Sequence, residues 1–255
     1  MKFTSLGSGS DGNALIVAAG DTCVMLDCGF GLRDTALRLG RRGLQPGEVH
    51  AVILTHEHGD HVAGAVRFCL RHAIPLWATH GTLAHLRRHN DTLPELHLID
   101  SHTAFTIGDL QVQPFPVPHD AREPVQFCFS DGQRKLGVLT DTGAPTRHIT
   151  EQLNDCDALV LECNHDSDML AASRYPASLK QRISGQFGHL SNAEAAQLLA
   201  SLTTHRLQHL VAAHLSQENN TPDKALASLA EVLGCQPDWL MHADQQDGFD
   251  WLDIA

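Results

Sequence analysis

The chain has 255 residues, of which 42% are hydrophobic, and its formal net charge is −12. This length and apolar content allow a substantial buried core, whereas the acidic balance argues against a broad basic surface for duplex DNA, because neutralised phosphates supply most non-specific affinity. The N-terminus lacks the order of a signal peptide, no apolar run approaches the roughly 20 residues of a bilayer span, and the seven cysteines include no C-x-x-C pair, so we expect a cytoplasmic protein with reduced thiols.

The first half of the chain alternates between predicted strands and helices. Apolar runs bounded by Gly and Asp turns predict strands over residues 2–6, 13–19, 22–28, 51–55, 74–79, 96–99, 104–107 and 110–117. Apolar residues at helical spacing predict helices over 32–43, 62–72 and 81–89.

The second half repeats this order. Strands are predicted over 125–130, 135–140, 158–163 and 208–213, with a closing strand over 238–243. Helices are predicted over 146–153, in segments across 166–184, over 192–201 after an S-x-x-E capping box at Ser191 and Glu194, and over 222–233. Hairpins followed by helices thus occur twice, which predicts two β-rich layers between helical layers. No linker divides the chain, so we expect one domain over 1–255.

The stretch "THEHGDH" follows the apolar run "AVIL" and concentrates imidazoles and a carboxylate in seven positions. His56 and His58 alternate, so an extended loop can turn both to one side, and Asp60 and His61 follow on the turn into the next helix. Neutral imidazoles and carboxylates are the ligands that zinc, manganese and iron accept in proteins. The spacing therefore predicts a metal site.

Three further polar residues end apolar runs downstream. His119 follows "PFPVP", Asp141 follows "LGVLT", and His214 follows "HLVAA". His165 and His189 also offer imidazoles, but His214 is preferred as a ligand because it comes at a strand end, whereas His189 comes just before a capped helix.

Together these residues resemble the metal-binding signature of the metallo-β-lactamase-fold hydrolases, with "THEHGDH" as the signature loop. The resemblance implies an α+β fold, a four-layer αββα sandwich, with two divalent metal ions (Zn, Mn or Fe) at one edge. It also implies how the ligands are shared. One ion would be held by His56, His58 and His119, the other by Asp60, His61 and His214, and Asp141 would bridge them.

The stretches "VPHDAREP", "LVLECNHD", "RYPASLKQRISGQFGHLSN" and "AAHLSQENN" further resemble the WalJ/YycJ-like branch of this family and, more loosely, tRNase Z. This resemblance implies phosphodiester hydrolysis, including 5′-exonuclease action on a DNA end or single strand. Two ions can lower the pKa of a shared water and clamp the phosphoryl oxygens. Asp60, Asp141 and His189 would take part in catalysis, with His189 resembling the histidine that tRNase Z places near the scissile phosphate.

Two other functions remain open on sequence alone. The acidic charge modestly favours a small-molecule phosphodiesterase or thioesterase, because metals can neutralise one phosphate but not a long duplex track. A metal-bearing regulatory protein without turnover is disfavoured only because every expected ligand is present.

Several neighbours of the predicted site have assignable roles. Asn13, in the hairpin turn "GSGSDGN", is a candidate contact of the ligands, and either Glu162 or His165 could orient a ligand histidine. Three cations in one segment could hold substrate phosphates or form a solvated helix face: Arg174, Lys180 and Arg182.

Overall fold

Fourteen strands and nine helices make up the structure, a computed structural model that describes residues 1–255. The strands are β1 (Lys2–Gly7), β2 (Ala14–Ala19), β3 (Thr22–Leu26), β4 (Ala51–Ile53), β5 (Leu76–Thr79), β6 (Leu96–Ile99), β7 (Phe105–Ile107), β8 (Leu110–Pro116), β9 (Val125–Ser130), β10 (Lys135–Leu139), β11 (Ala158–Glu162), β12 (His209–Ala213), β13 (Met241–His242) and β14 (Phe249–Asp253). The helices are α1 (Leu32–Arg41), α2 (Gly59–Val62), α3 (Ala65–His72), α4 (His80–His89), α5 (Arg147–Leu153), α6 (Ser167–Ala172), α7 (Ala177–Ile183), α8 (Asn192–Ala200) and α9 (Pro222–Leu233).

The strands form two mixed sheets of seven. One has the order β14-β1-β2-β3-β4-β5-β6, and the other has the order β13-β12-β11-β10-β9-β8-β7. In each sheet an antiparallel hairpin region passes into parallel strands: β3 to β6 in the first sheet, and β10 to β13 in the second. Parallel neighbours bring the carboxyl ends of their strands to the same edge of a sheet, where open α/β sheets bind ligands.

Alternation along the strands shows how the layers pack. In β2, Leu15 and Val17 belong to a core cluster formed by both sheets, whereas Ile16 belongs to a second cluster with the helices. In β11, Val160 joins the shared cluster and Leu161 faces a third. Since successive strand residues point to opposite faces, each sheet is buried on both sides.

The outer clusters identify the helical layers. The first sheet is covered by α1, α3 and α4, which contribute Leu39, Phe68, Leu83 and Leu86. The second sheet is covered by α5, α8 and α9, which contribute Ile149, Leu153, Leu198 and Leu229. The predicted αββα sandwich is confirmed. None of the helices combines the length and apolar character that a membrane span requires.

The C-terminal prediction was wrong. Residues 237–239 form a 3₁₀ turn, only Met241–His242 of the predicted closing strand pairs in a sheet, and the chain closes with β14. This strand pairs with β1, so that Lys2 lies opposite Asp253. Its position depends on a partner at the other end of the chain, which local pattern does not reveal.

The helix predicted over 62–72 is interrupted. α2 ends at Val62 and α3 begins at Ala65, with Gly64 between them. A Cβ on Gly64 would lie 1.8 Å from the carbonyl oxygen of Phe30, so only glycine allows this close approach. The break separates the short helix that carries Asp60 and His61 from the helix that packs on the sheet.

The capping box of α8 is present as predicted.

Candidate metal centre

The candidate ligands lie at one edge of the sandwich, beyond the carboxyl ends of its strands. His56 and His58 follow β4, His119 follows β8, Asp141 follows β10 and His214 follows β12. All seven residues that the sequence predicts as ligands are brought together there, in four overlapping groups whose donor atoms lie within 4.8 Å of one another.

One group is made of three histidines, His56, His58 and His119. His119 Nε2 lies 3.2 Å from His58 Nδ1, and the rings of His56 and His58 are 4.6 Å apart between centroids. The outward nitrogens of two of these rings are fixed by backbone carbonyls, since His119 Nδ1 is 3.0 Å from Gly188 O and His58 Nε2 is 3.2 Å from Asp120 O. The opposite nitrogens of both rings are thereby turned toward each other.

A second group is made of Asp60, His61 and His214. Asp60 Oδ2 lies 3.2 Å from His61 Nε2 and 3.4 Å from His214 Nε2. Asn13 supports this group, because its Nδ2 lies 3.3 Å from Asp60 Oδ2 and its backbone N–H donates to Asp60 O at 2.8 Å. The predicted contact between the first hairpin turn and the site is therefore present.

Asp141 lies between the two groups. Its Oδ2 is 3.2 Å from His61 Nε2, and its Oδ1 is 3.5 Å from His214 Nε2 and 4.0 Å from His119 Nε2. The side chain is 2% exposed. The carboxylate of Asp141 therefore lies within 4.0 Å of imidazole nitrogens from both groups.

Backbone strain is concentrated at the site. Five non-glycine residues have positive φ, and three of them are Asp27 (60°), Asp141 (54°) and His214 (57°). The left-handed region is uncommon for such residues and costs free energy, so it persists where the surroundings require it and clusters at functional sites.

The donor set fits a divalent cation. His56 Nε2 is buried and makes no hydrogen bond, which is costly for a polar atom unless another partner is bound. Imidazole nitrogens with carboxylate oxygens are the donors that zinc, manganese and iron prefer. The donor atoms by themselves, without reference to any protein family, therefore support the binding of a divalent metal ion.

The pKa shifts agree with this interpretation. Burial alone would raise the pKa of Asp141, but the imidazoles of His214 and His61 hold it well below its usual range. Burial lowers the pKa of His56 and of His119, which favours neutral rings with a free lone pair. Burial also opposes the charge of His61, yet the carboxylates around it, Asp141 foremost, raise its pKa well above the usual range. The site thus combines the neutral imidazoles of His56 and His119 with carboxylates that attract positive charge.

Two buried carboxylates orient the ligands from behind. Asp27 Oδ2 lies 2.8 Å from His61 Nδ1, and its Oδ1 accepts the Thr55 N–H at 2.9 Å. Asp27 was missed in the sequence analysis, although it ends the apolar run "CVML" in the same manner as the predicted ligands. A carboxylate behind a ligating histidine fixes its ring and its tautomer.

Glu162 is the second of these carboxylates and confirms one of the two predicted orienting residues. Its Oε1 lies 2.8 Å from His189 Nδ1 and 3.4 Å from His214 Nδ1, while its Oε2 accepts the N–H groups of Thr142 at 3.0 Å and Leu190 at 3.1 Å. Burial opposes its charge, but His189 beside it lowers the pKa of Glu162 to about 2. His165, the alternative, is buried and makes no contact with a ligand side chain among the hydrogen bonds of the site.

We expect Glu162→Gln to weaken metal binding about 10- to 100-fold, the usual effect of altering a partner behind a metal ligand. An amide keeps the size of the side chain, but its NH₂ group replaces one of the two oxygens that accept from Thr142, Leu190 and the two imidazoles. Titration of the metal-free protein with Zn²⁺ or Mn²⁺ measures the change. Glu151→Gln, at an exposed carboxylate of α5 paired with Arg147, is the control, and equal affinities of both variants would contradict the orienting role.

A pocket of about 380 Å³ opens over the ligands. His58, Asp60, Asp141, His189 and His214 line it. His189 is 22% exposed at its side chain, and its Nδ1 is also 3.6 Å from Asp141 Oδ1, so it belongs to the same site as the predicted ligands.

Of the three cations in the preceding segment, only Arg182 lines this pocket. Its Nε donates to Asp120 Oδ2 at 2.6 Å. Lys180 instead donates to the carbonyl of Ala171 at 2.6 Å, and Arg174 is exposed outside the lining. Lys180 and Arg174 lie outside the pocket lining, and Arg182 is the cation available to a bound molecule.

Known proteins share this architecture. The sequence profile of the family described as "Beta-lactamase superfamily domain" matches residues 22–214. "Exodeoxyribonuclease YycJ" of Bacillus anthracis is 33% identical over 235 residues, covering 91% of this chain and 89% of that protein. Two solved structures align over the whole chain. The metallo-β-lactamase fold protein YhfI from Bacillus subtilis has a TM-score of 0.75 at 17% identity, with 99% of each chain covered. The short form of human tRNase Z has a TM-score of 0.69 at 18% sequence identity, with 100% of each chain covered. These structural matches establish the fold.

Proposed function

Because the chain belongs to the β-lactamase superfamily, we propose that it is a metal-dependent hydrolase that cleaves phosphodiester bonds of DNA, as a 5′-exonuclease. The observation that carries this proposal is its likeness, over nine-tenths of the chain, to a bacterial protein named as an exodeoxyribonuclease. The arrangement of the ligands is compatible with it, since a buried carboxylate stands between two groups of donors at the floor of a pocket.

We propose that two divalent ions are held, one by His56, His58 and His119 and the other by Asp60, His61 and His214, with Asp141 shared. The chemistry that such a pair supplies when bound is polarisation of a phosphoryl oxygen and a lowered pKa of a nearby water. The carboxylates of this chain hold the ions, and Asp60, which faces the pocket, can accept a hydrogen bond from the attacking water.

We propose that His189 protonates the leaving oxygen. Its Nδ1–H donates to Glu162 Oε1 at 2.8 Å, so Nε2 is the nitrogen free to meet a substrate in the pocket. Burial opposes the charged ring, but the carboxylates of Glu162 and Asp141 raise the pKa of His189. A histidine that keeps its proton beside the reacting bond is suited to general acid catalysis.

We expect the wild-type protein with Mn²⁺ to release the label of 5′-labelled DNA as a mononucleotide at early times, while a 3′ label stays on long fragments. The time course of both labels on a denaturing gel measures the polarity. Early release of the 3′ label alone would reverse the proposed polarity. Retention of both labels, together with hydrolysis of a chromogenic phosphodiester, would overturn the DNA assignment.

The second outcome corresponds to the alternative function, a small-molecule phosphodiesterase. The charge of −12 favours it, because few cations are available to follow a nucleic-acid backbone. Arg182 is the one Lys or Arg side chain in the pocket lining, which suffices for a single additional phosphate.

A further inference from the structure

The lining of the catalytic pocket is polar except on one wall. Of its fifteen residues three are hydrophobic, namely Tyr175, Leu179 and Ile183. All three come from the segment that leads into α7 and forms it. Leu179 and Ile183 are four residues apart in this helix and therefore lie on one face.

These three side chains do not serve the core. None of them belongs to the three hydrophobic clusters or to the residues packed against them, and α7 has no buried residue. Each is half-buried. A helix that buries none of its residues gains little from its apolar face in the free protein, so the face is available for a ligand.

The wall shares the pocket with groups that can bind phosphate. The candidate metal ligands form the floor of the pocket, and Arg182 projects from the same helix as Leu179 and Ile183. The salt bridge of Arg182 with Asp120 uses Nε, and the side chain is 62% exposed, so its remaining N–H groups can donate to a phosphate oxygen. A molecule that fills the pocket therefore meets both charged groups and an apolar, aromatic surface.

A nucleotide has this division between a phosphate and a flat ring. Tyr175, the only tyrosine of the chain, offers a π face, and bases of any identity stack on aromatic side chains in single-strand binding proteins. The volume of about 380 Å³ lies at the lower end of the roughly 300–1,000 Å³ of small-ligand pockets. It suits one nucleotide and not a stacked base pair.

We propose that Tyr175, with Leu179 and Ile183, binds the base of the terminal nucleotide, and that the substrate is consequently an unpaired DNA end. This inference rests on the proposed function and names its substrate class. A base that stacks on this wall has left its duplex neighbours, so the enzyme acts on single-stranded or frayed termini. Arg182 binds a phosphate of the same strand.

The test compares two 5′-phosphorylated single-stranded oligonucleotides in Mn²⁺, one with an ordinary terminal nucleotide and one whose terminal residue is abasic. We expect Tyr175→Ala to lower kcat/KM on the ordinary end about 5- to 150-fold, mainly through KM, which corresponds to the ~1–3 kcal/mol of base–aromatic stacking. Wild type and Tyr175→Ala should cleave the abasic end equally, because the contact is already missing. Tyr175→Phe keeps the ring and should retain the wild-type KM.

The matched control is Trp239→Ala, which removes an aromatic side chain that is 45% exposed and lies outside the pocket lining. Equal kcat/KM of wild type and Tyr175→Ala on the ordinary end would overturn the inference, as would an equal loss on both ends, which would indicate a structural role. Failure of the wild type to cleave any DNA would instead overturn the proposed function.

Discussion

Replacement of Asp141 by asparagine is expected to lower phosphodiester hydrolysis by more than about 10²-fold, since altering even an outer partner of a metal ligand typically costs about 10- to 100-fold. Asp141 Oδ2 lies 3.2 Å from His61 Nε2, and its Oδ1 lies 3.5 Å from His214 Nε2. An asparagine amide is uncharged and has one acceptor oxygen. It cannot serve both groups of donors, nor offset the charge of two cations.

The measurements are kcat/KM on a chromogenic phosphodiester and the metal content of the purified protein. Asp155→Asn is the matched control, because Asp155 has φ of 57° against 54° for Asp141 but lies exposed in the loop before β11. Any effect of asparagine on a left-handed backbone is thus the same in both variants. A folded Asp141→Asn protein with wild-type rate and metal content would show that Asp141 does not bridge.

The central part of the site could be predicted because it follows from local pattern. In each case a polar residue that can bind metal follows an apolar strand, as His56 follows "AVILT" and Asp141 follows "LGVLT". The carboxyl ends of parallel strands meet at one edge, so residues far apart in sequence converge without any knowledge of the packing. The two sheets can be predicted from the sequence for a similar reason, since the continuous apolar runs of β2 and β11 reflect burial on both faces.

The features that escaped prediction depend on contacts between distant segments. Whether Glu162 or His165 orients a ligand is decided by the direction of each side chain at the end of β11, and Glu162 is the one that reaches His189 and His214. The short helix α2 ends where Gly64 packs on Phe30, and β14 exists because β1 offers it an edge. None of these causes is local, so periodicity could not reveal them.

The electrostatic character of the pocket could not be predicted from the sequence either. The sequence offers Arg174, Lys180 and Arg182 as equal candidates for binding substrate phosphates. Only Arg182 lines the pocket, because Asp120 holds its guanidinium there. Asp120 in turn follows His119, whose position is set by β8. One ion pair thus joins the segment after β8 to α7. It distinguishes Arg182, at the pocket, from Arg174 and Lys180, which lie outside the lining.

Replacement of His189 by glutamine is expected to lower the cleavage of DNA about 10²- to 10⁴-fold, the range of a general acid in catalysis. The leaving oxygen of a nucleotide is a strongly basic alkoxide and needs a proton. The p-nitrophenolate of a chromogenic diester is a weak base and leaves without one. We therefore expect the same variant to hydrolyse the chromogenic substrate at nearly the wild-type rate, with unchanged metal content.

The comparison of leaving groups separates two roles that the geometry of His189 allows. His189 belongs to a group of possible ligands with Asp141, Glu162 and His214, but its Nδ1 is already held by Glu162 at 2.8 Å. A proton donor affects only the poor leaving group, whereas a metal ligand affects both substrates and the metal content alike. His205→Gln, at an exposed histidine near Asp155, controls for the substitution itself. Equal losses on both substrates, accompanied by loss of metal, would make His189 a ligand and leave the leaving oxygen to be protonated by solvent.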